Sequence, residues 1–377
     1  ILLVVKSWCL TERVHTLAVL FFTLTLFPMF LRDVHADSRH AWAGEFLRMG
    51  AGARSLAMGN AYNAVEGDIY SSYYNPAGLA SMEGMQFAVS HRYMTIDRRF
   101  IHLGIGGPAG PDAGFAFSWI GAGTDGIQGR DLNGNRTGSL EDSRNSFAVT
   151  FSKYFGPRVS AGVNAKISLW KLAGEDAKAV GFDGGVIIKP VKNLSCSFVL
   201  RDLGSRFTWN SGRWADLISG ADGQTVEKED KLPVYMTAGL AYRPMGEKLL
   251  FSLAAESVED DPIGYDLGIA WRYNWMFTLR GGVYNYSFSD GLDYGSLTAG
   301  FGLQATNMIG LDYAFATDFI ENDRGASAVD ILSLIRLVRD KVHENTGVKL
   351  EPEVRLLGFT WNELGDLAPY AVSIVKE

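Results

Sequence analysis

Two short motifs have the residue spacing of enzyme sites. Residues 121–126 read Gly-Ala-Gly-Thr-Asp-Gly, the glycine spacing of a dinucleotide-binding loop, and Ser168 stands three residues before Lys171, as in some acyl-enzyme sites. A dinucleotide-binding loop leads into a helix whose N-terminus holds the pyrophosphate, but residues 127–135 have the composition of a loop. Residues three apart on a strand point to opposite faces of a sheet, so Ser168 and Lys171 cannot meet. Neither motif predicts catalysis.

Oxygen-bearing side chains at Asp131, Asn133, Asn135 and Asp142 have a spacing similar to that of a calcium loop. The sixth position is Arg136, where calcium loops need glycine for a sharp turn, and Asp142 replaces the usual bidentate Glu. A solvated turn is expected instead, because Asp and Asn side chains hydrogen-bond to nearby backbone. We therefore expect no metal, no cofactor and no catalytic residue at these motifs, and we expect the chain not to be an enzyme.

A third group of candidate residues is charged but stands in segments that are otherwise small or apolar. Charges that face a protein interior must pair or stay hydrated. Two roles remain open for them: ion pairs that hold one element against another, and contacts with a ligand. The group consists of Arg54, Glu66, Asp68, Lys166, Glu256, Arg280 and Asp312.

The composition favours a β-rich protein. The 377 residues include 43 Gly, 22 Phe, 15 Tyr and 9 Trp, and 47% are hydrophobic. Chains rich in glycine and aromatic residues, with short alternating segments, are typical of β architecture. The net charge of −7, without Lys/Arg tracts, argues against nucleic acid as a partner.

The first 36 residues have the pattern of a secretory signal peptide. Lys6 and Arg13 precede an apolar run at 17–31, and Val34 to Ala36 offer a small-residue cleavage site. An uncleaved membrane anchor is the alternative, but the run is short for a spanning helix and contains a proline. We expect cleavage after residue 36 and export from the cytoplasm.

Residues 37–84 are predicted to form a compact helical hatch. Apolar residues between 46 and 65 recur at roughly helical spacing, but frequent glycines interrupt any long helix. The segment Asn75-Pro76-Ala77-Gly78-Leu79 is typical of a turn. Short helices of this kind would fill an irregular space, and the rest of the chain is expected to form a wall around it.

The segments after residue 84 alternate with the two-residue period of strands. In residues 159–169, for example, Val, Ala, Ile and Leu alternate with Ser, Gly, Asn and Lys. Small or polar residues on one face, apolar residues on the other and aromatic residues at the segment ends are typical of a transmembrane β-barrel. After the N-terminal run, no segment is long and apolar enough for a spanning helix, so backbone hydrogen bonds must close between strands.

The predicted fold is an all-β membrane protein, an antiparallel barrel of about 14 strands with the hatch in its lumen. Breaks at 123–143 and 203–231 are predicted to be outward loops. Thirteen strands lie between residues 85 and 318, and a last one is placed in residues 363–377. The predicted strands are 85–95, 99–107, 113–122, 144–154, 158–171, 178–189, 192–202, 232–242, 249–257, 263–273, 276–287, 294–304, 306–316 and 366–376.

The chain resembles the PorV/PorQ outer-membrane family, which is itself similar to FadL-type fatty acid transporters. The resemblance rests on residues 46–62 (Phe-Leu-Arg-Met-Gly-Ala-Gly-Ala-Arg-Ser-Leu-Ala-Met-Gly-Asn-Ala-Tyr), 75–79 (Asn-Pro-Ala-Gly-Leu) and 310–315 (Gly-Leu-Asp-Tyr-Ala-Phe), and resumes at residues 363–373. It implies a barrel with an internal hatch in the outer membrane of a Gram-negative-type bacterium. It also implies a role in type IX secretion or in uptake of hydrophobic solutes.

Residues 319–362 depart from that family. They predict a helix with one apolar face, followed by a strand, and they resemble the C-terminal end of UDP-N-acetylenolpyruvoylglucosamine reductase. Glu353 in the Leu-Glu-Pro-Glu-Val motif matches an acid needed for reduction in that family. The flavin-binding domain of the reductase has no counterpart in this sequence, and a carboxylate alone cannot transfer hydride. We interpret the segment as a grafted fragment or a fusion artefact.

Three functions therefore stay open. The first is a type IX secretion-associated barrel or shuttle, with secretion components or cargo as partners besides outer-membrane lipid. The second is transport of a hydrophobic small molecule such as a long-chain fatty acid, and the third, remote one is the reductase. A polar, sealed lumen with ordered outward structure favours the first, and a lumen lined by Phe, Leu and Met favours the second. The expected hatch and lumen residues are Arg54, Asn75, Pro76, Lys166, Glu256, Arg280 and Asp312.

Overall fold

The chain divides into two units, Ile1–Phe319 and Ile320–Glu377. The structure, a computed structural model, describes residues 43–94, 97–130, 135–211, 226–258, 263–287, 295–306, 308–316, 336, 356–360 and 371–375. The signal-peptide assignment for residues 1–36 lies outside these residues and stays a prediction.

One antiparallel sheet of fifteen strands dominates the first unit. Thirteen of them, β1 to β7 and β10 to β15, follow one another as hydrogen-bonded neighbours, and β8 and β9 form a hairpin attached to β6. The strands are β1 (Gln86–Tyr93), β2 (Arg98–Pro108), β3 (Ala113–Arg130), β4 (Arg136–Tyr154), β5 (Val159–Leu172), β6 (Glu175–Val191), β7 (Leu194–Leu203), β8 (Arg206–Ser211), β9 (Val226–Lys231), β10 (Tyr235–Tyr242), β11 (Leu249–Ser257), β12 (Gly264–Arg272), β13 (Phe277–Tyr286), β14 (Ser296–Gln304) and β15 (Gly310–Ala316).

The predicted all-β architecture is confirmed. Each of the thirteen strands predicted between residues 85 and 316 overlaps one strand of the continuous path. Two predicted loops are wrong in part. Residues 123–143 mostly extend β3 and β4, because their ladder continues to Arg130 and Arg136. Residues 203–231 contain β8 and β9, because pairing to β6 and to each other satisfies their backbone groups.

Side chains alternate between two environments along each strand. In β5, Ser160 and Asn164 are buried, whereas Val163 and Ile167 are 62% and 54% exposed. Exposed apolar side chains of this kind recur on the same face of the other strands and suit contact with lipid rather than water. Further members of this face are Phe87, Val89, Phe117, Phe147, Val149, Phe151, Val180, Phe182, Leu267, Ile269, Leu311 and Tyr313.

The opposite face of the sheet encloses the hatch. Its described residues form 3₁₀-helical turns at Glu45–Arg48 and Pro76–Ser81 and α-helical turns at Ala53–Leu56 and Ser71–Tyr74. Residues 76–81 contact β2 to β6, and residues 53–56 contact β14 and β15. Since one small element reaches strands from both ends of the path, the sheet curls around it. We call the sheet the wall and the enclosed space the lumen.

The hatch helices are short for a local reason. Gly52 and Gly59 have positive φ angles of 87° and 60°, a conformation that other residues adopt only with strain. A further 3₁₀ turn, Gly246–Lys248, joins β10 to β11. Within the described ranges, none of the helices has the length and apolar character to cross a membrane.

The outward and inward ends of the wall follow from its connections. Short turns join β2 to β3, β4 to β5, β6 to β7, β10 to β11, β12 to β13 and β14 to β15. The other end carries the long β3–β4 hairpin and the β8–β9 hairpin. Bacterial barrels place long loops outside and short turns in the periplasm, so we assign the hairpin end as outward. The wall is uneven: β3 and β4 have 18 and 19 residues, whereas β14 and β15 have 9 and 7.

The second unit is described at three places. Arg336, within the predicted helix, is helical. Two strands, β16 (Leu356–Thr360) and β17 (Ala371–Val375), pair in parallel in a small separate sheet. The sequence places residues 363–377 in the barrel as its last strand. The observed strand β17 pairs with β16 instead. The domain boundaries at 319–362 and 363–377 stay predictions.

Candidate functional site

Tyrosine hydroxyls of the hatch form hydrogen bonds to backbone groups elsewhere in the hatch. Tyr73 accepts a hydrogen bond from the amide of Gly50 at 2.9 Å and donates one to the carbonyl of Leu47 at 2.8 Å. Tyr74 accepts from Ala51 at 3.1 Å. These contacts span more than twenty residues of sequence, so they fold the irregular segment into one body despite its few helical turns.

Glycines of the wall let this body lie directly against the sheet. A Cβ atom on Gly282 would collide with the backbone of Met58 and Gly59, and one on Gly162 would collide with Pro76 and Ala77. Lumen-facing side chains are therefore excluded where the hatch backbone touches the wall. We call these positions the glycine-lined face. Gly114, Gly162, Gly268 and Gly282 lie against hatch backbone, and two further members, Gly185 and Gly300, lie against the hatch side chains of Asn75 and Ala57.

Ion pairs fasten the hatch at the inward end. Arg54 lies 3.3 Å from Asp68 of the hatch and 3.2 Å from Asp312 of β15, and Arg280 of β13 lies 2.7 Å from the same Asp312. Burial by itself lowers the pKa of Arg54, but nearby Tyr62, Asp68 and Asp312 outweigh it and raise that pKa above its ordinary value. The guanidinium thus stays charged and connects two acids across the interface.

Tyr62 completes this group. Its hydroxyl donates to Asp68, and burial raises the pKa of the phenol well above its ordinary value. A neutral phenol is a hydrogen-bond donor to a carboxylate. Asp68 is thereby held by both Arg54 and Tyr62. Arg54 in turn contacts Asp312 of β15.

A second ion pair joins the hatch to β6. Glu66 accepts from Lys189 at 2.8 Å, and Lys189 also donates to Tyr154 of β4 at 2.9 Å. Lys189 was not among the residues predicted from sequence. It lies close to the end of β6, where the alternation of burial weakens, so the period alone did not identify its face.

Two predicted charges pair within the wall rather than with the hatch. Lys166 of β5 lies 2.7 Å from Asp183 and 2.6 Å from Asp202. Glu256 of β11 lies 3.4 Å from Arg201 of β7. Asp183 is on the adjacent strand β6, whereas Asp202 of β7 and Arg201 of β7 reach partners two strands away along the sheet. Their proposed role as ligand contacts stays a prediction.

Asn75 and Pro76 have a structural setting. The Asn75 side chain accepts from the amide of Ala77 at 3.0 Å, which caps the following 3₁₀ turn, and donates to the carbonyl of Asn63 at 2.9 Å. Pro76 is the first residue of that turn, where its missing N–H costs nothing, and it contacts Gly162 of the wall. Both residues therefore position the hatch.

A cavity of about 460 Å³ lies between the hatch and the inward ends of β10 to β15. The charged residues of its lining include Arg54, Asp68, Arg280 and Asp312, with Arg243 and Arg272 near the inward ends of β10 and β12. The apolar residues of its lining are Met58, Val65, Leu250, Trp275, Met276 and Leu303.

An apolar cluster occupies the outward mouth. Phe46 and Leu47 of the hatch pack with Phe100 of β2, Phe207 of β8 and Leu232. Trp170 and Trp209 pack against this cluster, with ring centroids 5.0 Å apart. The β8–β9 hairpin thus contacts the hatch. The sequence had predicted a loop for the residues of this hairpin.

The enzyme-like motifs do not gather into a site. Residues 121–126 lie inside β3, where no helix follows. Asp142 bonds to Arg144 and Trp170, whereas Asp131 and Asn133 lie outside the described residues, as does Glu353. In the described part of the chain, no group of three or more His, Cys, Asp or Glu side chains could hold a metal.

Comparison with solved structures gives the fold. The CymD monoaromatic hydrocarbon channel matches 71% of this chain and 92% of its own length, with a TM-score of 0.50 and 13% identity. The Pseudomonas putida toluene transporter TodX matches 71% of this chain and 92% of its own length, with a TM-score of 0.47 and 16% identity. A Pseudomonas aeruginosa FadL homologue matches 67% of this chain and 86% of its own length, with a TM-score of 0.43 and 11% identity.

Sequence comparison gives a match to a different family. The family model for the UDP-N-acetylenolpyruvoylglucosamine reductase C-terminal domain matches residues 311–357. The reductase of Anaeromyxobacter dehalogenans strain 2CP-C is 49% identical over 55 residues, which are 14% of this chain and 17% of the relative. The Exiguobacterium sibiricum reductase is 39% identical over 70 residues, 18% of this chain and 23% of the relative. The first unit has the fold of an outer-membrane β-barrel with an internal hatch.

Proposed function

We propose that the protein is an outer-membrane barrel of the PorV/PorQ type that acts as a secretion-associated partner or shuttle through its outward hairpins. The observation that carries this proposal is the seating of the hatch, whose backbone lies against the glycine-lined face without space for side chains. A lumen occupied in this way favours a structural barrel over an open pore.

The outward end supports the same role. The β3–β4 hairpin and the β8–β9 hairpin are ordered strands rather than loops, and both project from the long-strand side of the wall. Exposed charges cover β8 and β9, with Arg206 paired to Glu229 at 2.9 Å and both more than half exposed. Such a platform offers polar contacts to a secretion component or cargo protein.

The test is charge reversal on this platform. In the native host, the variant Arg206→Glu/Lys228→Glu is expected to lose export of surface cargo while its folded level in the outer membrane stays normal. The matched control is Arg272→Glu/Lys248→Glu at the inward end, which should leave export unchanged. Normal export with both variants would contradict the secretion role.

Transport of a hydrophobic small molecule such as a long-chain fatty acid is the second candidate. The apolar cluster at the outward mouth favours it, since the buried side chains of Phe46, Phe207 and Leu232 form an apolar barrier that suits an apolar solute better than a polar one. The channel that shares this fold carries the name of a monoaromatic hydrocarbon channel. Uptake of labelled oleate or toluene that is lost in Phe207→Ala, together with normal cargo export, would favour this candidate.

The reductase is not our proposal. The matched segment corresponds to 17–23% of the reductases it resembles, and it carries their acid at Glu353 without the flavin-binding part of those enzymes. Flavin absorbance in the purified protein, together with NADPH oxidation, would support the reductase function.

A further inference from the structure

One lysine lies on the lipid-facing side of the wall at its inward end. Phe151 of β4 and Phe155, just after this strand, are 49% and 65% exposed, whereas Ser152 is buried and faces the lumen. Lys153 lies between the two phenylalanines and is exposed on their side of the sheet. A lysine on this side is unfavourable at the membrane midplane and is tolerated near the interface. Lys153 therefore marks the level at which lipid headgroups meet the wall.

The neighbours of Lys153 across the ladder are small. Its partners are Ala113 of β3 and Ala161 of β5. The two alanines leave room on both sides of the lysine, so a headgroup can approach its ammonium group. The next lipid-facing row, toward the membrane centre, is apolar and consists of Phe115, Phe151 and Val163.

A second basic side chain stands in the turn that follows β4. Arg158 is exposed there, and no carboxylate of the described residues pairs with either Lys153 or Arg158. Lys192 is exposed in the neighbouring β6–β7 turn. Among the residues of the β2–β3, β4–β5 and β6–β7 turns, all of which the structure describes, Asp112 is the only acid. Three bases against one acid make this part of the inward rim positively charged.

A groove lies further along the same lipid-facing side. It has a volume of about 560 Å³, and its lining includes Phe117, Val149 and Ala165, which form the row next to that of Phe151. Val149 and Lys153 are four residues apart, which corresponds to about 13 Å along a strand. A ligand whose charged end contacts Lys153 can therefore place an apolar chain in this groove.

The outward end of the same lipid-facing side differs in its charges. Lys171 of β5 and Lys178 of β6 are exposed there. Lys171 has an exposed acid, Asp176, as its ladder partner. The acid offsets the basic charge at this end, so an anionic headgroup gains less there than it does beside Lys153.

We propose that Lys153, Arg158 and the adjacent groove bind an anionic glycerophospholipid of the periplasmic leaflet. The two basic side chains contact the phosphate, since ammonium and guanidinium groups bind phosphate oxygens through charge-assisted hydrogen bonds. One acyl chain lies along Phe151 and enters the groove. A headgroup that also carries a cation, as in phosphatidylcholine, is disfavoured by the excess of bases. The site lies on the outer surface of the wall, so it is independent of what the outward hairpins bind.

Trp119 lines the groove and serves as the reporter for a test. The full chain is reconstituted into bilayers of phosphatidylcholine and phosphatidylglycerol, one of which carries bromine at mid-chain and quenches tryptophan fluorescence on contact. The difference from a Trp119→Phe variant, made in each background, isolates quenching in the groove. We expect an about fivefold preference for phosphatidylglycerol. The preference should fall in about 0.5 M KCl, because salt screens exposed charges.

The variant Lys153→Gln/Arg158→Gln should reduce the preference to less than about twofold. The matched control is Lys171→Gln/Lys178→Gln at the outward end, which should leave the preference unchanged. Equal quenching by both lipids in the unsubstituted protein, an unchanged preference in the first variant, or loss of the preference in the control overturns the proposal. If the first variant does not fold, the salt dependence decides, and a preference that high salt leaves unchanged overturns the proposal.

Discussion

The hatch meets the wall in two different ways. On the glycine-lined face, backbone lies on backbone, and Gly282 and Gly162 leave no gap for a side chain. At the charged contacts, ion pairs cross from the hatch to the wall, Arg54 to Asp312 and Glu66 to Lys189. The glycine-lined contact depends on shape, since an added side-chain atom would collide, whereas the charged contact depends on both partners keeping their charge. The two regions should therefore respond differently to substitution.

The largest effect is expected from filling the glycine-lined face. In Gly282→Ala the added methyl group collides with the backbone of Gly59 and Met58, and overpacking against rigid backbone costs about 3 kcal/mol. Hydrogen exchange of hatch amides should report that loss of hatch stability. Gly281→Ala is the matched control, because its nearest neighbours lie 3.8 Å away. Slow exchange in both variants would contradict the close contact.

The second-largest loss of hatch stability is expected from removing the charge of Asp312. Asp312→Asn removes the charge that both Arg54 and Arg280 contact, and a hydrogen bond to a charged group contributes about 2 kcal/mol. Hydrogen exchange of the hatch amides should become faster, which measures the loss of protection. If the Arg54→Met/Asp312→Asn double variant is no less protected than Asp312→Asn alone, the two residues act as one unit.

A smaller effect is expected at Gly239 of β10, which also faces the hatch. In Gly239→Ala the methyl group approaches Ser197 Oγ, which can rotate away, and otherwise meets the hatch at 3.4 Å. Hatch stability, measured by hydrogen exchange of the hatch amides, should therefore change by less than about 1 kcal/mol. A loss of stability as large as in Gly282→Ala would show that Gly239 is packed as tightly as the glycine-lined face.

The smallest effect is expected from the exposed pair at the inward rim. Arg272 lies 3.4 Å from Glu247, and their side chains are 46% and 73% exposed. Exposed pairs contribute about 0.5 kcal/mol and less in high salt, so Arg272→Ala should leave hatch protection nearly unchanged. A clear loss of protection would assign this rim a part in holding the hatch.

The wall was largely predictable from sequence, but the interface was not. Alternation in residues 159–169 correctly predicted β5, because the two-residue period is a local property of a strand. The same period placed Lys166 and Glu256 in the lumen without naming their partners. Asp183 comes from the adjacent strand β6 and Arg201 from β7, two strands from Glu256, so both pairings depend on the register of the whole ladder.

The extent of the outward hairpins was missed for a related reason. Polar residues in 123–143 and 203–231 are typical of loops, yet they form β3, β4, β8 and β9. A strand outside the membrane needs no apolar face when cross-strand hydrogen bonds satisfy its backbone, so composition alone could not distinguish it from a loop.

The amino-acid sequence by itself determined that this chain forms a β-wall with one apolar face, and that glycine-broken helices precede it. Only the tertiary structure decided which glycines touch the hatch and which charges pair across it. Period and propensity act over a few residues, whereas contacts such as Arg54 with Asp312, 258 residues apart, exist only after the sheet has curled around the hatch.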